Sequence, residues 1–209
     1  MTFPFPFPPI PQSLTEVEAL AWDLLQTGVA DRNRLAHTPS LVTLDQNGLP
    51  QARVVVLRQA CAQNRQLRIH TDHRCAKVGE VQRNPNSLFL FYEPTIKTQL
   101  RIRTHAAVHY QDATAQQAWD ETRLFSRRCY LADQASGTIS PTPTTGMPAG
   151  WEKRNPDEAE SAAGWPNFAV ILAEMLEIDW LYLAAEGHLR AKLVWDAGKG
   201  CWDGNWVAP

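Results

Sequence analysis

The stretch LRIHTDHRCAKVGEVQRNPNSLFLFY, residues 67–92, decides the fold. Leu67 to Thr71 reads as a strand, Cys75 to Arg83 as a short helix, and Asn84-Pro85-Asn86 as a break. Ser87 to Tyr92 carries Leu88, Phe89, Leu90 and Phe91 without interruption, the pattern of a strand buried on both faces, as in a sheet centre or a barrel. Upstream, Leu41 to Asp45 and Gln51 to Arg58 flank Asn47-Gly48, a pair that readily takes the positive φ of a tight hairpin turn. Downstream, Thr98 to Tyr110 sets Gln99, Arg101, Arg103 and His105 on one parity and Leu100, Ile102, Thr104 and Ala106 on the other. Two readings stand for the polar set: a solvated sheet face, or the lining of a ligand cleft or subunit interface.

The remaining segments fit around this block. Phe3 to Pro11 alternates Pro and Phe and predicts an extended arm over residues 1–12, because each proline fixes φ and removes a donor. Ser13-Leu14-Thr15-Glu16 is a capping box ahead of Val17, Leu20, Ala21, Leu24 and Leu25, which predicts a helix over Leu14 to Ala30. Ala113 to Phe125 predicts another, ending in the basic cluster Arg123, Arg127 and Arg128. Residues 137–166 are rich in proline and glycine and read as a long loop, functional or mobile. Phe168 to Ala173, Ile178 to Leu183, Leu189 to Trp195 and Trp202 to Val207 close the chain as four strands. About eight strands with two or three helices, mainly β with α (α+β) and without internal repeats, favour a small barrel with packed helices over a βαβ sheet. Residues 13–209 are then one domain.

Composition bounds the function. The 209 residues are 44% hydrophobic and 20% charged, as in ordinary globular chains. No apolar run reaches the ~18 residues of a membrane span, and mean hydropathy is -0.33. Net charge is -2, without the positive field of a general nucleic-acid binder. Of the 20 basic residues 15 are arginine, the side chain that grips phosphate and carboxylate through paired hydrogen bonds. Cys61, Cys75, Cys129 and Cys201 are scattered, so no zinc knuckle or redox dithiol is expected. The N-terminus lacks a basic leader, and a soluble, cytoplasmic protein with reduced thiols is the expectation.

No G-x-G-x-x-G, G-x-x-x-x-G-K, G-x-S-x-G or H-E-x-x-H is present, which weighs against the dinucleotide-binding, NTPase, hydrolase and zinc-protease classes. His105 and His109 on one strand are ~13 Å apart, too far to share a zinc ion, so no metal site is expected. What remains is a set of anion-ready groups at strand ends: Arg53 and Arg58, His70-Thr71, and Lys77 within the short helix. Each taken alone also fits a surface charge or a cap.

Their order carries a resemblance. RVVVLR (53–58), residues 67–92 and KTQLRIRTHA (97–106) resemble the pyridoxamine 5'-phosphate oxidase family of FMN-binding split barrels, and NFAVILAEMLEIDWLYL, GHLRAKLVW and WVAP are similar to its closing strands. The likeness covers most of Leu35 to Pro209 outside the long loop. It implies that Arg53 and Lys77 hold the FMN phosphate, that the backbone of Val54, Val55, Val56 and Leu57 runs along the flavin, and that His70-Thr71 stand where the family has tyrosine-threonine. Gln99 would approach the ring, Gln134 and Ser136 would complete the pocket, and Lys192 would replace a late arginine. The resemblance also implies a homodimer with FMN at the subunit interface and a small anionic, phosphorylated substrate. Arg58, Trp119, Arg123 and Ser126 would stand at the substrate positions, with His188 and Arg190 near the reacting carbon.

Departures from the family pattern bear on activity. Leu181 stands where a tryptophan is expected, Trp119 where the family has tyrosine, Cys75-Ala76 where it has serine-arginine, and His188-Leu189-Arg190 reverses an arginine/histidine pair. Sites built on such hydrogen bonds discriminate against misfits. The expected function is an FMN-dependent oxidoreductase passing hydride to flavin N5 and electrons to oxygen or another acceptor. A flavin carrier or sensor without turnover is the alternative, and a heme-binding split barrel a third.

Overall fold

The computed structural model describes residues 10–148, 150–151 and 154–209; the predicted N-terminal arm lies largely outside these. Helix α1 (Leu14–Ala30) opens where the capping sequence places it, with Ser13 Oγ accepting from the Glu16 amide at 3.2 Å. The Glu16 carboxylate accepts from Gln12 N at 2.6 Å, one residue before the cap. Val17, Ala21, Leu24 and Leu25 form its buried stripe.

Among the described residues nine antiparallel strands follow: β1 (Ser40–Leu44), β2 (Pro50–Val54), β3 (Leu57–Cys61), β4 (Gln66–Asp72), β5 (Asn86–Glu93), β6 (Thr98–His109), β7 (Phe168–Tyr182), β8 (Leu189–Asp196) and β9 (Cys201–Val207). Their order is β2-β1-β5-β6-β7-β4-β3, with β8 and β9 branching from β7. Strands β2 and β3 stand at the two ends of this path, yet only Val55 and Val56 separate them. The sheet therefore curls until its ends meet, as a barrel must. The expectation of one strand over Gln51 to Arg58 is corrected here. β2 pairs with β1 and β3 pairs with β4, and the Val55 amide turns aside to Pro39 O at 2.9 Å.

Strand β7 is a second correction. The two strands expected at Phe168 to Ala173 and Ile178 to Leu183 are one strand of 15 residues. Arg103 pairs with Glu177 and Thr104 with Met175, so Leu176 is an extra residue, a bulge that shifts the inward phase from Ala173 and Met175 to Ile178 and Trp180. On either side of the bulge β7 changes partner. Its first half pairs with β4 and its second half with β8, which is where the barrel splits.

Leu41, Leu57, Ile69, Phe89, Phe91, Ile102 and Trp180 fill the barrel, and α1 caps it. Burying each large side chain contributes about 1.5–3 kcal/mol. A second cluster, Trp119, Tyr130, Phe168 and Val170, packs beneath α3 (Ala113–Glu121). The helix expected over Ala113 to Phe125 breaks at Thr122 and Arg123, both in extended geometry, before the short α4 (Leu124–Arg127). The long segment 137–166 contains the short helix Glu158–Ser161 and the start of a 3₁₀ turn, Ala162–Asn167. Helix α2 (Ala76–Arg83) lies close to the predicted span.

Gly28 lets α1 cross the 3₁₀ turn Leu35–His37: a Cβ there would sit 2.8 Å from Ala36 O and 2.9 Å from its Cβ. Gly28→Ala is expected to destabilise the fold by about 1–3 kcal/mol through overpacking, read by urea denaturation. An unchanged midpoint would show that this crossing yields freely.

Candidate functional site

Two groups of polar side chains stand out, one on each face of strand β4. Alternation along β4 sends Thr71 inward and His70 outward, so the adjacent pair serves different sites.

On the inner side, Lys77 Nζ on α2 donates to Thr71 Oγ1 at 2.9 Å. Arg53 on β2 reaches the same helix one turn further on, where Nη2 donates to Glu80 Oε2 at 2.7 Å. Thr43 joins them, accepting from Arg53 Nη1 and donating to Glu80. Thr43 and Glu80 are buried, whereas the Arg53 side chain keeps 24% exposure. This gives two cations and two hydroxyls from four elements, with one cation already facing a buried carboxylate.

On the outer side, a cavity of 320 Å³ lies between the C-terminal end of α1, strands β3 and β4, and the α3–α4 break. Arg58 enters from β3, Arg68 and His70 from β4, Arg123 and Ser126 from the break, and Arg32 from the segment after α1. Glu121 is the lone acidic residue of the lining, and it is bound to Arg68 at 2.7 Å. Four arginines against one carboxylate make the cavity an anion receptor by charge. Arg58 Nε, Arg68 Nε and His70 Nε2 are buried there with no hydrogen-bond partner, the kind of group a native structure leaves open for a ligand or water. Burial, then the positive charges of Arg68 and Arg58, pull the His70 pKa down to about 3, so its ring is neutral.

A third network lines the outward face of β6, β7 and β8. Asp179, 3% exposed, accepts from Arg190 Nε at 2.8 Å and Nη2 at 2.7 Å, with Arg101 at 3.5 Å. Burial works against ionisation of Asp179, but the bonds to Arg190 and the charges of Arg190, Arg101 and Lys192 outweigh it and hold the carboxyl below its usual range. Lys192 lies 3.9 Å from Glu177, and Arg103 lies 3.1 Å from the same residue. Gln99 is half-buried opposite Leu181.

Arg58, His70, Arg123 and Ser126 thus meet in one cavity whose wall includes Leu57, and Thr71 and Lys77 meet in another place. Val54 is exposed and Val55 buried at the strand break, with Val56 between them in burial. Trp119 does not reach the cavity: it is 5% exposed and packs edge-on against Tyr130, Trp165 and Phe168. His188, Gln134 and Ser136 are exposed on loops, and Arg190 is engaged by Asp179. Sequence reasoning passed over Arg68, Glu80, Thr122 and Asp179. Arg68 shares the parity of His70, and Glu80 follows Lys77 by three helical positions, so both signals were present.

The four cysteines are free thiols. Among the described residues no cluster of His, Cys, Asp or Glu could hold a metal ion, and no helix is long and apolar enough to cross a membrane.

A barrel split at a bulged strand, with basic side chains on both faces of β4, is the architecture of the split-barrel class of protein. Residues 20–110 match the family of the pyridoxamine 5'-phosphate oxidase, FMN-binding domain. Over that stretch the chain is similar to a family whose domain binds FMN. It is similar to pyridoxine/pyridoxamine 5'-phosphate oxidase 2 of Arabidopsis thaliana, 28% identical over 196 residues that cover 90% of this chain and 96% of the plant protein. A pyridoxine/pyridoxamine 5'-phosphate oxidase of Chromohalobacter salexigens is 33% identical over 94 residues, 43% of each chain. In fold it is similar to a pyridoxamine 5'-phosphate oxidase-related, FMN-binding protein of Nostoc punctiforme, with a TM-score of 0.73 and 22% identity over 95% of this chain and 100% of that one. PhzG of Burkholderia lata, solved with tetrahydrophenazine-1-carboxylic acid, gives a TM-score of 0.68 at 15% identity, over 99% of this chain and 98% of that one.

Proposed function

We propose that this protein is an FMN-dependent oxidoreductase that oxidises a small anionic substrate, working as a cytoplasmic homodimer. The observation that carries this reading is the placement of two anion receptors at the ends of one six-residue segment. Arg53 opens it, bound to Glu80 one turn along α2 from the Lys77 that holds Thr71, and Arg58 closes it in the arginine-lined cavity. A phosphate-tailed cofactor held at the first end and an anionic substrate held at the second would meet along Val54 to Leu57.

The residues suit the cofactor. A phosphate near two negative charges calls for cations and hydroxyl donors, which Arg53, Lys77 and Thr71 supply. When bound, FMN supplies the two-electron acceptor and passes electrons to oxygen or another acceptor. Arg58 and Arg123 would fix the substrate anion, with Ser126 donating a further hydrogen bond. Arg190, pre-aimed by Asp179, would orient the reacting end, with His188 beside it in the assembled site. Gln99 and Lys192 lie on the outward face with half-buried Val42, Leu88 and Leu90 and the exposed Val54 and Tyr92. That mixed apolar and charged face is the surface we assign to the second subunit, and Gln134 and Ser136 would close the flavin pocket from their loop.

A flavin carrier without turnover is the second reading, favoured by the engagement of two of the three Arg190 nitrogens with Asp179 and by the burial of Trp119 away from the cavity. Titration of the purified chain with FMN, followed by anaerobic pyridoxine 5'-phosphate, separates the two. Bleaching of the bound flavin band supports the oxidoreductase, binding without bleaching supports the carrier, and no flavin binding rejects both. Lys77→Ala is expected to weaken FMN about 10- to 100-fold, the value of one charge-assisted hydrogen bond, while leaving riboflavin binding unchanged. Equal losses for both flavins would remove Lys77 from the phosphate.

A further inference from the structure

We propose that His70 makes the arginine-lined cavity selective for anions that bring a proton with them, accepting a hydrogen phosphate group and disfavouring a fully deprotonated anion such as sulfate. The inference rests on the reading of that cavity as the substrate-anion site and adds to it a rule for which anions fit.

The argument turns on which ring nitrogen carries the proton. His70 Nδ1 lies 3.4 Å from Thr122 Oγ1. Thr122 has one hydroxyl proton and commits it to Ala118 O at 2.6 Å. Its oxygen is left only as an acceptor toward His70, so the Nδ1 position bears the hydrogen. The other nitrogen, Nε2, then presents a lone pair, and it is buried without a partner in the cavity lining.

The groups facing His70 explain why it stays unprotonated and why an anion comes to it nonetheless. Arg58 approaches from β3 and Arg68 from its own strand, with Arg123 from the α3–α4 break and Arg32 and His37 from the α1 side. Glu121, at the end of α3, is already bound by Arg68. Phe168 of β7 stands edge-on at 5.0 Å and supplies no hydrogen bond. Arginines attract the anion while the bare lone pair repels any oxygen without a hydrogen. An oxygen seated against Nε2 must therefore carry a hydrogen, as in P–O–H. A monoanionic phosphate monoester arrives with it, as does inorganic hydrogen phosphate, whereas a monoester dianion or sulfate, which has no O–H, must take one proton from solvent, on its own oxygen or on Nε2, as it binds.

The test is calorimetric titration of the full chain with methyl phosphate, whose dianion has no O–H, and with sulfate, in buffers of different protonation enthalpy. About one proton is expected to be taken up per methyl phosphate near pH 8, with affinity falling about tenfold per pH unit above ~7. Methyl phosphate should bind at least about tenfold more tightly than sulfate near pH 6, about 1.4 kcal/mol. His70→Asn keeps an N–H for Thr122 and lacks the distal acceptor, so uptake and preference should both vanish. His70→Gln, which restores an acceptor near the Nε2 position, should recover the preference. Equal binding of the two anions without proton uptake by the unmodified protein would overturn the proposal, as would binding of neither anion, or a preference that survives in His70→Asn. FMN uptake, read by absorbance on the same preparation, reports separately on the oxidoreductase reading.

Discussion

Replacing Arg53 by alanine is expected to cost about 3–5 kcal/mol of folding free energy, because it strands a buried carboxylate without its partner. Glu80 has 9% side-chain exposure, and its bonds come from Arg53 at 2.7 Å and from Thr43. For a chain of this length the loss corresponds to a fall in Tm of about 6–20 °C. Neutralising the stranded group should remove most of the penalty, so Arg53→Ala in a Glu80→Gln background is expected to lie within about 1–2 kcal/mol of Glu80→Gln alone. That double variant is also the one in which to weigh Arg53 as a phosphate ligand, since its fold is intact. There FMN should bind at least about tenfold more weakly than to Glu80→Gln, with riboflavin unaffected. Urea denaturation and flavin titration check the two parts, and an Arg53→Ala protein as stable as the parent would sink the first.

The Arg53–Glu80 pair also marks how far the sequence could be read. Local features were legible: the cap and stripe of α1, the Asn47-Gly48 hairpin and the two-faced polarity of β6 each lie within one segment and report one periodicity. What could not be read was the choice of partner. Gln51 to Arg58 looks like one strand because nothing local tells Val54 to stay with β1 and Leu57 to join β4. Phe168 to Leu183 looks like two strands because the bulge at Leu176 interrupts the alternation without interrupting the pairing. Both errors fall where the barrel closes and where it splits, the features that depend on long-range pairing.

The site follows the same division. Arg58, Arg123 and Ser126 were named through the family resemblance, and they meet in one cavity. Arg68, Glu80, Thr122 and Asp179 were not named, because their meaning lies in contacts across the fold: Arg68 with Glu121, Glu80 with Arg53, Thr122 with His70, and Asp179 with Arg190. Trp119 shows the converse. A residue placed by its position in a motif turns instead into the aromatic cluster with Phe168, because an indole buried there gains more than it would in a charged cavity.

Acid should therefore unfold this protein earlier than its carboxylates alone would dictate, and His70 is the reason. Its pKa is about 3 in the fold against about 6.5 in an unfolded chain. Between those values the unfolded state binds a proton that the folded state refuses, so stability falls as pH falls, with a limiting slope of ~1.4 kcal/mol per pH unit. Above about pH 6.5 neither state is protonated and the effect is absent. Near pH 4.5 the loss amounts to roughly 2–3 kcal/mol, a large part of an ordinary folding free energy. Asp179 acts in a different window: its carboxyl is held below the usual range, so its stabilisation is lost only as pH falls below about 4. Urea denaturation from about pH 7.5 down to 4.5 should thus show a steep decline in the parent and a much flatter one in His70→Asn. Parallel stability profiles for parent and variant would mean that the ring of His70 reaches solvent and titrates freely, and the lone pair that gives the cavity its selectivity would then be hydrated before any anion arrives.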